Sequence, residues 1–473
     1  MKSLSGLPNG PLAVTIPLET AVIRKNRDLI TQVHHTTTDG IVVEMDVRKG
    51  NWQRMLGLPE EKNVYWADVR QVNIRELSVL PCAITYRLTY GDGWYRGQGS
   101  NKVYFGIQKH LEEIDLEREC SKTTIRAAVL LCILGGIGFH CVSWMMKLLF
   151  HCNISKSALD RWVRTCSKDL PDQPGMARAL NTDKRITECH IDEYYGVGRR
   201  PKACTVVLKD EHGRIFAAKE VEEKTRDKVV ELLREVKEWG LQIAHFYMDG
   251  CEEYRDAARI VFPEATVQYD YFHIIQNIWK KLWKELVGRR RRIKERGEEQ
   301  ERKHEPGWSS WINLAQRMWE NRYIILKGEA KLSEEENEKL EKLMEEEAVV
   351  ERIRRFAKAV WSIFQESKTE EQAKEKLAEL RKWPEVIKGS VYMKSVQFLE
   401  SRFEDMITYL HQPGVRRNSY SESGMRCLRR LEQGHDGFRG AEGLDRYLRL
   451  YQAMRYLDWT VHRGSANLGL PPS

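Results

Sequence analysis

A chain of 473 residues can hold two or three domains with sizeable cores. Its formal net charge of +8 is the small difference between 77 basic and 69 acidic residues, a lean toward a polyanionic partner and no more. The ten cysteines contain no Cys-x-x-Cys pair, which excludes a zinc ribbon and a thioredoxin-like motif, and the expected setting is a reducing cytoplasm.

From the N-terminus, residues 1–30 read as a poorly ordered lead-in. Short β-type runs follow at 40–47, 63–72, 82–90 and 102–107, with Tyr90-Gly91-Asp92-Gly93 as turn punctuation. Residues 1–110 therefore form a β-rich module of unknown role. Helical patterning begins near Leu111, and Ser121 is placed to cap the apolar run Ile125 to Leu134. The stretch Ala127 to Phe150 is long enough to imitate a membrane span, but Gly135, Gly136 and Gly138 split it. Two core helices and no membrane are expected. His140, Cys141, His151 and Cys152 lack metal-ligand spacing, so no zinc site is read there. Next, Ser155 precedes a short amphipathic segment through Arg164. It reads as the recognition helix of a helix-turn-helix, residues 111–170, with Lys156, Ser157, Arg161 and Arg164 turned to DNA.

Residues 185–287 carry the clearest pattern. Ile186 to Tyr194, Ala203 to Leu208 and Arg214 to Val221 read as three strands, followed by a helix from Arg226 to Trp239. Strand Ile243 to Met248, helix Glu252 to Val261, strand Thr266 to Tyr269 and a long helix from Phe272 complete the order β-β-β-α-β-α-β-α. That is the order of the α/β ribonuclease H-like fold. An all-α insertion spans 288–400, where Val349, Ile353, Phe356, Val360 and Ile363 mark one buried stripe and Trp308, Trp311, Ala315, Met318 and Trp319 another. Closing helices of the core are expected at 401–460, then a tail at 461–473.

Two acidic residues end strands that this order sets side by side, Asp192 and Asp249. Facing carboxylates repel unless a cation bridges them. Mg²⁺, with Mn²⁺ as substitute, prefers carboxylate oxygens, and two ions about 3.5–4 Å apart suit in-line phosphoryl displacement. Glu422, at a helix start followed by Arg426, Arg429 and Arg430, is the candidate third ligand. Glu193 would point to the opposite face of its strand. Other phosphate-contact candidates are Lys280, Lys281, Lys284, Arg289, Arg290 and Arg291 in one run and Arg416 with Arg417 in another.

With these residues in place, the chain resembles the DDE transposases of bacterial insertion sequences, most closely the ISL-three family, over about residues 120–455. The resemblance rests on Ile191-Asp192-Glu193, Met248-Asp249-Gly250, Tyr269-Asp270-Tyr271-Phe272-His273, the Asn321 to Lys327 segment, and Asn418 to Glu422 with Gly434 to Arg439. It implies the triad Asp192, Asp249 and Glu422, with Asp270 and His273 supporting the site. Two departures stand out: residues 1–110 lack the family's cysteine-rich zinc module, and Glu422-Ser423-Gly424-Met425 replaces its usual Glu-Gly-x-Asn. The expected function is cutting transposon ends and joining them to target DNA. The expected partners are double-stranded DNA and a second copy of the chain, with no small-molecule substrate, in a nucleoid-associated cytoplasmic setting. The alternatives are a catalytically inactive DNA-binding relative and a non-transposing nuclease on the same fold.

Overall fold

The computed structural model describes residues 20–36, 40–76, 83–109, 111–183, 185–195, 204–328, 331–387, 391–417, 421–434, 438 and 440–457. Its contacts divide the chain into two compact units. One comprises 1–184, 196–199 and 424–473; the other comprises 185–195 and 200–423.

The first unit opens with a mixed sheet. Its strands are β1 (Ile30–Thr36), β2 (Gly40–Asp46), β3 (Val64–Glu76), β4 (Ile84–Arg96), β5 (Lys102–Phe105), β6 (Ile114–Asp115) and β7 (Cys120–Ser121). They lie in the order β1-β2-β4-β3-β7-β6, with β5 paired to β4. Alternation along the strands turns Val43, Met45, Ile74, Tyr86 and Leu88 into one core, closed by Trp52. Tyr90 to Gly93 is not the turn its glycines announce; it lies inside β4. The physical reason is close packing: a Cβ on Gly93 would sit 2.2 Å from the Phe105 ring, and one on Gly91 would sit 2.5 Å from the Ala67 carbonyl.

Helices α1 (Lys122–Ile133), α2 (Phe139–Phe150), α3 (Lys156–Lys168) and α4 (Gln173–Asp183) follow. Ser121 caps α1 by accepting from the Thr124 amide at 3.1 Å, and Ser155 caps α3 by accepting from Ala158 at 3.2 Å. The apolar stretch 127–150 is thus two 12-residue helices. Among the described residues no helix is long and apolar enough to cross a membrane.

The C-terminal helices divide differently from the expectation that 401–460 closes the α/β core. Residues from 424 onward belong with the first unit. There α5 (Ser421–Gly434) brings Gly434 so close to Gly138 that a Cβ on Gly138 would lie 2.1 Å from the Gly434 carbonyl. The last described helix, α6 (Ala441–Tyr456), packs on α1, α3 and α4. Its Arg449 guanidinium donates to the carbonyls of Ser167, Leu170 and Pro171 at 3.0–3.1 Å, satisfying acceptors left over where α3 ends.

The second unit is built on a five-stranded sheet of β8 (Glu188–Tyr194), β9 (Cys204–Lys209), β10 (Ile215–Val221), β11 (His245–Met248) and β12 (Thr266–Tyr269) in the order β10-β9-β8-β11-β12. The β10-β9-β8 pairs are antiparallel and β8-β11-β12 parallel. Two helices of this unit lie between strands in sequence and pack on each other: Arg226–Glu238, whose Val229, Val230, Leu232, Leu233 and Val236 are buried, and Glu252–Val261. After β12 the chain runs through the long helix Tyr271–Arg302 into Trp308–Glu320, Glu334–Glu346, Ala348–Gln365 and Glu370–Arg381.

The Val349–Ile363 stripe is buried as its spacing requires. The tryptophan stripe is less so. Ala315 and Met318 are buried, but Trp308 and Trp319 remain more than a third exposed. Arginines cover what protein does not: Arg290 and Arg322 lie 4.8 and 4.2 Å from the Trp319 ring centre, and Arg296 lies 4.3 Å from that of Trp311.

Candidate active site

The pairing of β8 with β11 decides which carboxylates meet. Both strands are buried nearly throughout, although β8 carries Glu188, His190, Asp192 and Glu193 among its seven residues. Phe246 lies opposite Cys189, and Tyr247 opposite His190. Carrying that register two residues on sets Asp249 level with Asp192. The chain then turns at Gly250, whose φ of 86° lies in the left-handed region. A Cβ there would stand 2.9 Å from Ile274, so both the turn and the helix behind it call for glycine.

The surroundings of the two carboxylates differ. Asp192 accepts from the Glu193 amide at 2.8 Å, and the fully buried Lys209 ammonium lies 3.4 Å from its other oxygen. Asp249 Oδ1 is buried and has no hydrogen-bond partner among the described residues. Burial pushes the Asp249 carboxyl above the usual carboxylate range. The charges of Glu193 and Asp192 add to that, against Lys224 and His273. Burial likewise pulls the Lys209 ammonium below its ordinary value, with Asp192 resisting.

Glu193, set aside on strand alternation, is part of the same electrostatic group. Its carboxylate is paired with Lys224 and accepts from the Tyr195 hydroxyl at 2.8 Å. Although burial opposes it, that pairing holds Lys224 above the ordinary lysine value. The Lys224 ammonium also lies 5.3 Å from the centre of the Tyr254 ring.

Asp270 and His273 stand beside this group. Asp270 is buried and caps the helix Tyr271–Arg302, accepting from the Phe272 amide at 3.0 Å, while its own amide donates to Met248 O at 2.7 Å. His273, one turn on, has Nε2 3.9 Å from the Asp270 carboxylate. Glu422 is the second residue of α5, and its side chain lies outside the described residues. Among the described residues no group of three or more His, Cys, Asp or Glu is arranged to hold a metal ion.

The basic candidates separate by what they already bind. Arg289 is paired with Glu347 at 3.0 Å and Arg290 donates to Ala315 O at 3.1 Å, so both stitch the helical insertion. Lys281 lies over the Phe398 ring, and Lys280 is bonded to Asn277 at 3.3 Å. Lys284 and Arg291 line an open groove of about 320 Å³ with Trp283. Arg416 holds Glu188 at 3.7 Å, and its amide donates to the Tyr247 hydroxyl, while Arg417 lies over Tyr409. On α3, Lys156, Ser157, Arg161 and Arg164 are exposed, with Arg164 bonded to Asp160. Arg426, Arg429 and Arg430 are exposed on α5.

Three buried polar residues went unread in the sequence. His190 stacks on Tyr247 with ring centres 4.5 Å apart and is bonded to Glu188 at 3.3 Å. Lys209 ends β9, one residue past the strand expected there. Asp210 takes the Arg214 guanidinium at 2.6 Å.

A family model described as Transposase, that of the ISL-three group of DDE transposases, matches residues 190–445. No curated protein matches the chain. The match spans more than half of the sequence and includes Asp192, Asp249, Asp270 and Glu422. The chain belongs to the ISL-three family of DDE transposases.

Proposed function

We propose that this transposase cuts the ends of its element and joins them to target DNA at two divalent ions, Mg²⁺ or Mn²⁺, held by Asp192, Asp249 and Glu422. The sheet order β10-β9-β8-β11-β12, three antiparallel strands continued by two parallel ones, supports a ribonuclease H-like core for this chemistry. The observation that carries the reading is the buried Oδ1 of Asp249, beside Asp192 and without a hydrogen-bond partner among the described residues. An uncompensated carboxylate at such a position is costly, and a hard cation is the partner its oxygen chemistry fits. Bound there, the ions would stabilise the attacking and leaving oxygens of an in-line displacement.

The chain's own residues do the rest. Lys209 holds the Asp192 carboxylate in place. Lys224 pairs with Glu193 and opposes the carboxylate charges that act on Asp249. Asp270 fixes the start of the long helix and holds His273 toward the site, where a scissile phosphate would approach. The α2–α3 turn and the exposed face of α3 form a helix-turn-helix that reads the transposon ends through Lys156, Ser157, Arg161 and Arg164. A homodimer would let two ends be cut in concert.

Joining is the step that separates this reading from a simple nuclease. A pre-cleaved end with a free 3′-hydroxyl, incubated with the protein, supercoiled plasmid and Mn²⁺, is expected to yield covalently joined product. Hydrolysis of uncut ends without any joined product would reduce the function to a nuclease.

A further inference from the structure

We infer that the outer face of the N-terminal sheet binds unpaired DNA. The face is formed where β3, β4 and β5 run side by side. Tyr65 lies opposite Trp94, and Trp94 opposite Tyr104, so three aromatic residues line up across three strands. Their chain neighbours Trp66, Gly93 and Phe105 point the other way, into the core around Trp52, with ring centres 5.3–5.8 Å apart. The inner aromatics are therefore explained by packing, and the outer ones are not. Tyr65 stacks on Trp94 at 4.5 Å yet stays 39% exposed, and Tyr104 is 62% exposed.

Charge on the same face names the occupant. One step from the aromatic row Arg96 lies directly opposite Lys102. Like charges placed across a strand pair are unfavourable, and neither has an ion-pair partner among the described residues. Lys102 rests 4.6 Å from the centre of the Trp94 ring, which holds its ammonium over the row. A phosphate between the two cations relieves their repulsion, and the bases on either side of it meet exposed rings. Duplex DNA offers no base faces to such a row, whereas an unpaired strand offers one per nucleotide. This site does not depend on the metal-site reading, since stacking and phosphate contact need no cleavage.

The test uses the full chain in EDTA, with fluorescence anisotropy of a labelled twelve-residue oligothymidylate and of a duplex of equal length. Tyr104→Ala is expected to weaken single-strand binding about tenfold, the size of one base-stacking contact. Tyr104→Phe should restore it, and duplex affinity should not change. Arg96→Gln with Lys102→Gln reads the site without altering a ring, and should reduce the log–log salt slope for the single strand by about 1.4. The inference is overturned by a wild-type chain that ignores the single strand, by single-strand affinity indifferent to these variants, or by equal losses on both DNAs. A drop in oligomeric mass on Tyr104→Ala, with no single-strand binding by the wild type, would give the face to a second protein copy and overturn it as well.

Discussion

The two sheets of this molecule treat polar groups in opposite ways. The N-terminal sheet keeps its inner face apolar and satisfies the charge it does bury: Glu76 accepts from Ser121 at 2.5 Å and from the Tyr86 hydroxyl at 3.1 Å. The five-stranded sheet buries Glu188, His190, Lys209, Asp210 and Gln268 among its hydrophobic residues and leaves an oxygen of Asp249 without a partner among the described residues. Buried charge is a poor way to gain stability, so a sheet that concentrates it is shaped by its chemistry. The other sheet shows what the same chain builds where only folding is at stake on the inner face.

That contrast can be broken by substitution. In the N-terminal sheet the largest effect is expected from Trp52→Ala, which empties the centre of an apolar core and should cost about 3–5 kcal/mol, read from the denaturant midpoint of that unit. A loss of under about 1 kcal/mol would mean the core does not hinge on this ring. In the other sheet, Arg214→Met leaves the buried Asp210 carboxylate with backbone donors only, and about 3 kcal/mol should be lost. An unchanged midpoint would show that the pair contributes nothing to the fold.

The smallest effect has the opposite sign. Asp249→Asn should raise the melting temperature of the metal-free protein at pH 7. The folded-state pKa of Asp249 lies above its unfolded value, chiefly through burial. The native state therefore keeps this proton to higher pH, and its stability falls as pH rises from the unfolded value, about 3.9, through the raised folded one. Asparagine carries no such penalty, so its advantage should appear only as pH climbs through that window. Melting curves at pH 3.5 and pH 7 in EDTA check this. A gain that does not change with pH would mean the carboxyl is not held above its usual range.

Much of this architecture is legible in the sequence because hydrophobic runs bounded by turn residues are the clearest local signal. Asp249 follows directly on such a run, whereas β8 continues past Asp192 to Tyr194 instead of ending there, and the strand order still sets the two carboxylates side by side. What escaped has physical causes. Lys209 and Asp210 look like the rim of a turn, since nothing local says that a lysine ending a strand has its counter-charge on the next one. Gly91 and Gly93 look like punctuation, because a glycine needed for close packing has the same letter as one needed for a turn. Alternation assigned Glu193 to the other face, yet an electrostatic field is not confined to one face, and its charge reaches Asp249. The last helices show amphipathic spacing, which says that a stripe is buried without saying against what. Arg449 and Gly434 answer that only once the fold is known.

Asp249 is proposed to belong to a metal-dependent centre that cuts DNA. The direct measurement incubates purified protein with Mg²⁺ and DNA carrying the sequences that flank its own gene, wild type beside Asp249→Asn. Breaks are expected at fixed positions bordering the gene, reduced at least on the order of a thousandfold in the variant, which still binds the same DNA. Cleavage that persists in Asp249→Asn would contradict it and place the active site elsewhere.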